Sequence, residues 1–184
     1  SFYIDHLVQY GLLLASKLER PTKRQREDFD FCLIKLKALS ELFPQNFEHK
    51  YLLLQAEQGR YLNKGIELLA PLYEAAIVSA GANSFLQYEA LTNELYGSFL
   101  LSKQLQKLAI GCLKEALYLY RRWGCTIKIN NLGHRYQDLL IDKQRPRGQS
   151  ETHDSIHASL TTLQKTSHAS TQISTQEGLD LSSV

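Results

Sequence analysis

The sequence lacks methionine, has a single tryptophan, and contains no apolar run long enough to cross a bilayer. Its 21 basic residues are nearly balanced by 19 acidic residues. No field of one sign therefore favours binding to a nucleic acid or to a membrane surface. We expect neither kind of partner.

Cysteine is also scarce, and the three cysteines are Cys32, Cys112 and Cys125. Their number is odd, and no pair has the short spacing that zinc sites use. We interpret all three as reduced thiols of a cytoplasmic protein, and most simply as small buried hydrophobic residues. The sequence predicts no metal site and no cofactor.

The N-terminal segment, residues 1–15, has no basic region and no small-residue cleavage site, so it does not resemble a signal peptide. It reads instead like the middle of a helix. Together with the lack of methionine, this pattern leads us to expect that the sequence is a piece of a longer protein.

Apolar residues recur with the helical period along the first 140 residues, and no segment shows sustained strand alternation. One face of the segment 104–123, for example, carries Leu105, Leu108, Ala109, Cys112, Leu113 and Ala116. The period predicts seven helices, at about 2–18, 25–43, 46–61, 63–80, 84–102, 104–123 and 126–140. Short connections between helices of similar length predict antiparallel hairpins and an all-α fold.

Single residues predict where several helices begin and end. Asn46 and Ser84 are expected as N-caps, and Gly81 and Gly124 as C-terminal stops. Pro71 should either kink the fourth helix or mark a later start, because it has no amide hydrogen to donate.

The composition changes after Leu140. Residues 141–184 are rich in Ser, Thr, Gln and His and have only isolated apolar residues. Such a segment does not bury enough surface to offset its ordering entropy. We predict a helical repeat domain over 1–140, and a disordered Ser/Thr-rich linker over 141–184 that leads toward a downstream domain.

Two predicted hairpins are similar to each other. Ala76 and Ala116 occupy matching places 40 residues apart, and small residues at Gly97 and Ala109 would let two helices approach closely. The pattern resembles the tetratricopeptide repeat, although Leu69 stands where that repeat has a small residue. The resemblance implies an α-solenoid of stacked hairpins with a concave binding face.

A second resemblance covers most of the chain and rests on the segments 46–51, 55–57, 73–77, 89–95, 116–125 and 135–140, with Lys128 and Leu132. These segments look like the helical region of very large signalling kinases. Such proteins have a Ser/Thr kinase-like domain, an AAA-type ATPase module, this helical region, a GAF domain and a histidine kinase. The resemblance implies a scaffold that links the ATPase-like module to the GAF and histidine kinase modules. Its partners would be neighbouring domains of the same polypeptide.

The alternative is a free-standing adaptor of the same fold that binds a peptide or a protein. The sequence does not specify the oligomeric state. In either case we expect no catalysis by this chain, because it has no phosphate-binding GxxxxGK[ST] loop. His134-Arg135-Tyr136 lacks the aspartate of a kinase catalytic loop, and Asp28-Phe29-Asp30 lacks the glycine of a kinase metal-binding loop.

Repeat geometry predicts that the groove is lined by Tyr88, Asn93, Tyr96, Tyr120 and Trp123. Nearby lies a basic cluster of Arg121, Arg122, Lys128 and Arg135. It admits three interpretations: a docking surface for an acidic partner, an Arg–Trp stack that closes the last hairpin, or a solvated helix end.

Overall fold

A computed structural model describes residues 2–17 and 21–140. Within these ranges the chain forms eight α-helices and no β-strand, which confirms the all-α prediction. The helices are α1 (Phe2–Lys17), α2 (Lys23–Leu42), α3 (Pro44–Tyr61), α4 (Ile66–Ala82), α5 (Leu86–Ser102), α6 (Gln106–Trp123), α7 (Thr126–Arg135) and α8 (Gln137–Leu140). The seventh predicted helix is divided at Tyr136. The predicted linker at 141–184 lies outside the described residues.

The helix starts differ from the prediction at α3. This helix begins at Pro44, with Phe43 as its N-cap, so Asn46 lies inside the first turn and does not cap it. Proline suits the first helical position, because the amide hydrogen that it lacks would have no partner there. At α2, Thr22 forms a capping box: its Oγ1 accepts the Gln25 amide at 3.2 Å, and Gln25 Oε1 accepts the Thr22 amide at 2.9 Å.

The turns after α3, α4, α5 and α6 share one geometry. Each contains a residue with a positive φ, namely Asn63 (54°), Ser84 (62°), Gln104 (61°) and Gly124 (80°). The amide of the following residue then bonds to a carbonyl five residues earlier, over 2.9 to 3.1 Å. This closure satisfies a carbonyl at the helix end and reverses the chain. The left-handed residues are 20 or 21 positions apart, so the turn recurs at a regular interval.

This geometry corrects two predicted caps and confirms a third. Helix α4 extends to Ala82 with Asn83 as its C-cap, so Gly81 lies within the helix. Ser84 occupies the left-handed position of the turn, and Phe85 is the N-cap of α5. Gly124 ends α6 as predicted.

Helix α4 begins at Ile66, three residues later than predicted, and continues past Pro71. Pro71 therefore lies inside the helix and does not mark its start. Because Pro71 lies close to the helix N-terminus, the only amide bond that it removes is one to the first turn.

The helices pack in two sets. Helices α1, α3 and α5 contact one another in order, α2 packs on α1 and α3, and α4 packs on α3 and α5. In the described part, no Cα pair within 8 Å joins α2 to α4 or α4 to α6. Helices α1, α3 and α5 therefore form an inner row, and α2, α4 and α6 form separate outer ridges.

Burial repeats with the 40-residue offset that the two alanines suggested. Four positions of α4 and their counterparts in α6 are at most 1% exposed: Leu69, Tyr73, Ala76 and Ala80, followed by Ala109, Leu113, Ala116 and Tyr120. Gly97 of α5 faces this row, and a Cβ there would lie 2.9 Å from Leu113 Cγ and 3.3 Å from the Ala109 carbonyl oxygen. The glycine therefore permits the close approach of α5 to α6.

Candidate functional site

Three carboxylates between helices each accept a tyrosine hydroxyl and a cationic group. In the first cluster, Asp5 of α1 accepts the hydroxyl of Tyr88 at 2.6 Å and the ammonium of Lys50 at 3.0 Å. Partial burial alone would raise the pKa of Asp5, but these two hydrogen bonds and the charge of Lys50 lower it. The cluster joins the three inner helices α1, α3 and α5.

Lys50 is itself enclosed by aromatic rings. Its Nζ lies 5.5 Å from the ring centroid of Phe47, 5.4 Å from that of Phe85 and 4.8 Å from that of Tyr88. The side chain is only 5% exposed. The aromatic faces and Asp5 together replace the water that the ammonium loses on burial.

The second cluster is centred on Glu57 of α3, which accepts the Tyr73 hydroxyl at 2.5 Å and the Arg60 Nε at 2.8 Å. It ties α3 to α4 at a point where both Glu57 and Tyr73 are removed from solvent. Charge-assisted bonds of this kind are stronger than neutral ones.

The third cluster is centred on Glu94 of α5. Its Oε2 accepts the Tyr120 hydroxyl at 2.7 Å and the Lys128 ammonium at 2.9 Å, and Arg135 lies 3.9 Å from Oε1. Helices α5, α6 and α7 meet at this one carboxylate. Of the predicted basic cluster, Lys128 is therefore engaged in the fold through a hydrogen bond to Glu94, whereas Arg135 stays exposed with its guanidinium near this carboxylate.

These three clusters are suited to holding helices together. Burial, followed by the charge of the carboxylate or its hydrogen bond, raises the pKa of Tyr73, Tyr88 and Tyr120 far above the usual value near 10. The three phenols keep their protons at physiological pH and serve as hydrogen-bond donors.

His49 is a buried polar residue that the sequence analysis did not single out. It is 1% exposed, and its ring packs 4.3 Å from the ring of Phe85 and 5.1 Å from that of Tyr88. Neither ring nitrogen has a hydrogen-bond partner among the described residues. Burial, aided by the charge of Lys50, lowers the pKa of His49 to about 4, so the ring is neutral at pH 7.

Four of the predicted groove residues lie in the interior: Tyr88, Asn93, Tyr96 and Tyr120. Tyr96 donates to Glu74 at 3.3 Å and stacks on Tyr73 at 5.0 Å, and burial raises its pKa to about 12. Asn93 donates to the Glu89 carbonyl at 3.0 Å. These side chains belong to the core and its hydrogen bonds, so they do not line a surface groove in this structure.

The remaining predicted residues do lie on the surface, at the end of α6. We define the C-terminal basic surface as Tyr118, Arg121, Arg122, Trp123 and Ile127, all of which are exposed. The guanidinium of Arg122 lies 5.7 Å from the Tyr118 ring, so Arg122 stacks on tyrosine and not on the tryptophan of the predicted Arg–Trp stack. The half-exposed ring of Trp123 lies against Tyr120 at 6.4 Å. This surface combines aromatic, aliphatic and guanidinium groups.

The two kinase-like tripeptides have ordinary structural contacts. Asp28 accepts the Tyr10 hydroxyl at 2.9 Å, Asp30 accepts the Gln58 amide at 3.3 Å, and Phe29 lies in the core. Within the described ranges, no group of three or more His, Cys, Asp or Glu residues is arranged to hold a metal ion.

One cavity of about 270 Å³ lies between α1, α2 and α3, and its lining is Ala15, Gln25, Arg26, Phe29, Asp30, Gln58, Tyr61 and Leu62. Four of its polar side chains already have partners: Gln25 completes the capping box, Arg26 donates to the Pro21 carbonyl at 3.3 Å, and Gln58 bonds to Asp30. The cavity therefore offers a ligand little beyond apolar contact.

No protein-family model, curated protein or solved structure matches this chain. None of the described helices is long and apolar enough to span a membrane.

Proposed function

We propose that this chain is a non-catalytic helical scaffold that binds protein surfaces. The observation that carries the proposal is the outer row of helices, which keeps large apolar side chains exposed above a closed interior. Ile34 of α2 is 66% exposed, Val78 of α4 is 69% exposed, and Leu108 of α6 is 60% exposed. Exposed apolar side chains that lie together are typical of surfaces that another protein covers, and we propose that these three helices present one such surface.

The interior supports a scaffold in preference to an enzyme. The carboxylates of Asp5, Glu57 and Glu94 each bind a tyrosine and a cation from other turns or helices, and those of Glu57 and Glu94 are also buried, so these groups serve the fold. A general base needs an accessible lone pair, and a nucleophile needs an activating neighbour. Three such clusters make a stiff array of hairpins, which is what a spacer between modules requires.

We further propose that the array is a tetratricopeptide-like solenoid within a large cytoplasmic sensor kinase. The quoted resemblance supports this context, and the regular spacing of the left-handed turns supports the solenoid. In that setting the scaffold transmits signals between an ATPase-like module and GAF and histidine kinase modules. Its partners are those neighbouring domains.

The context is tested by the nucleotide sequence on both sides of the segment. We expect one reading frame that encodes an ATPase-like module upstream and GAF and histidine kinase modules downstream. A start codon just before Ser1 and a stop codon just after Val184 would instead leave the free-standing adaptor.

Binding by the outer row is tested with the modules that this frame encodes, by sedimentation velocity of mixtures. Val78→Glu with Leu108→Glu should weaken association at least about tenfold, because a carboxylate would be buried in an apolar contact. The control is Lys64→Glu with Lys107→Glu, which changes two exposed cationic residues outside the apolar row. Equal binding by the wild-type chain and both variants would contradict the proposal.

A further inference from the structure

The charge of the described chain is unevenly distributed. Residues 103–140 contain seven basic and two acidic residues, whereas residues 51–102 contain two basic and five acidic residues. The excess positive charge is therefore concentrated on α6, α7 and α8. A field of one sign over such a short stretch attracts an oppositely charged partner.

Among the basic residues near the end of α6, Lys128 is half-buried against Glu94, whereas Arg121, Arg122 and Arg135 are exposed. Lys128 and Arg135 approach Glu94 and contribute to the third cluster. Arg121 and Arg122 are exposed in the last turn of α6. The helix dipole favours cations at this end, which accounts for the presence of positive charge there. It does not account for the apolar groups beside them.

Exposed apolar side chains are also found in the last two turns of α6 and the first turn of α7. Ile127 is 72% exposed and Trp123 is 50% exposed, while Tyr118 carries the guanidinium of Arg122 over its ring. Tryptophan, tyrosine and arginine are the residues that most often carry binding energy at protein interfaces. Exposed together, they favour a partner that has both carboxylates and an apolar side chain.

We infer that the C-terminal basic surface binds an acidic peptide segment of a protein partner, with carboxylates on Arg121 and Arg122 and an apolar side chain over Trp123 and Ile127. This inference rests on the proposed function as a binding scaffold. Guanidinium groups suit this occupant because they pair with carboxylates through two parallel hydrogen bonds. A nucleic acid fits less well, because phosphate tracking needs a longer row of cations than this surface has, and Lys128 is already bonded to Glu94.

The test begins with an unbiased peptide-display library selected against the immobilised 184-residue chain. We expect the enriched peptides to be rich in Asp and Glu around at least one aromatic or aliphatic residue. A synthetic copy of the most enriched peptide is then titrated into the protein. Trp123 is the only tryptophan, so its fluorescence reports directly on this surface.

The variant Arg121→Glu with Arg122→Glu should weaken binding of that peptide about 30-fold or more, the loss expected for two charge-assisted contacts. Lys103→Glu with Lys107→Glu is the matched control. It makes the same change in net charge near the other end of α6, and it should weaken binding less than about threefold. Circular dichroism and thermal melts confirm that each variant is folded before its affinity is interpreted.

The outcomes separate this inference from the proposed function. A basic or neutral consensus, no enrichment, or equal weakening by both variants overturns the assignment of this surface. A single-stranded 20-mer DNA that competes as strongly as the peptide also overturns it, in favour of a nucleic acid. None of these results bears on whether the flanking modules bind the outer row of helices, which the sedimentation experiment decides independently.

Discussion

His49 predicts a dependence of stability on pH that can be worked out from the structure. An unfolded histidine binds its proton near pH 6.5, whereas the buried ring binds it only near pH 4. Because the unfolded state takes up the proton first, stability is lost as the pH falls from about 6.5 toward 4. The loss is about 2 kcal/mol at pH 5 and about 3 kcal/mol at pH 4.

The substitution His49→Phe isolates this effect. A phenyl ring can keep the contacts with Phe85 and Tyr88, and it removes two nitrogens that have no partner among the described residues. We expect the variant to be more stable than the wild-type chain at pH 7 by about 1 kcal/mol, because a buried polar group without a hydrogen bond is costly. The advantage should grow by about 2 kcal/mol at pH 5, where the wild-type chain is penalised and the variant is not.

Urea unfolding followed by circular dichroism at pH 7 and pH 5 measures both quantities. His134→Phe is the control, since His134 is exposed. Asp5 is present in every variant and its pKa is lowered, so it stays ionised throughout this pH range and cancels in the comparison. If the wild-type chain and His49→Phe lose the same stability between pH 7 and pH 5, the reasoning about the buried neutral ring is refuted.

Three further substitutions test the packing. Asp5→Asn should lower the free energy of unfolding in urea by about 2 kcal/mol, because it leaves the buried ammonium of Lys50 without its counter-charge. An unchanged unfolding midpoint would show that the Asp5 cluster does not contribute to stability. Gly97→Ala should destabilise the protein by about 1–3 kcal/mol, because the new Cβ would meet Leu113 and the Ala109 carbonyl of α6. Gly111→Ala is the control, since it has open space and should be neutral or stabilising. Equal melting temperatures for the two variants would contradict the close approach of α5 to α6. Gln104→Gly should raise the melting temperature, because glycine adopts a positive φ without the backbone strain of about 1 kcal/mol that glutamine has there. A lower melting temperature of the variant would exclude a strained turn at this residue.

The sequence by itself determined that the fold is all-α, and it located most of the helices to within a few residues. This worked because the helical period of apolar residues is a local property. Of the face predicted for α6, Ala109, Leu113 and Ala116 are buried and Cys112 is half-buried, whereas Leu105 and Leu108 are exposed. The ends were less predictable. Ser84 and Gln104 adopt left-handed turns without glycine, because the packing of the two flanking helices and the bonds across the turn compensate for the backbone strain.

Only the tertiary structure decided which aromatic side chains are core and which are surface. Tyr88, Tyr96 and Tyr120 have the same spacing in either role, and their burial depends on carboxylates brought from other helices, in one case from 83 residues away. Trp123 stays exposed because α6 ends beside it and the chain turns at Gly124. Local periodicity records which face of a helix is apolar, but the partner that covers that face is set by contacts distant in the sequence.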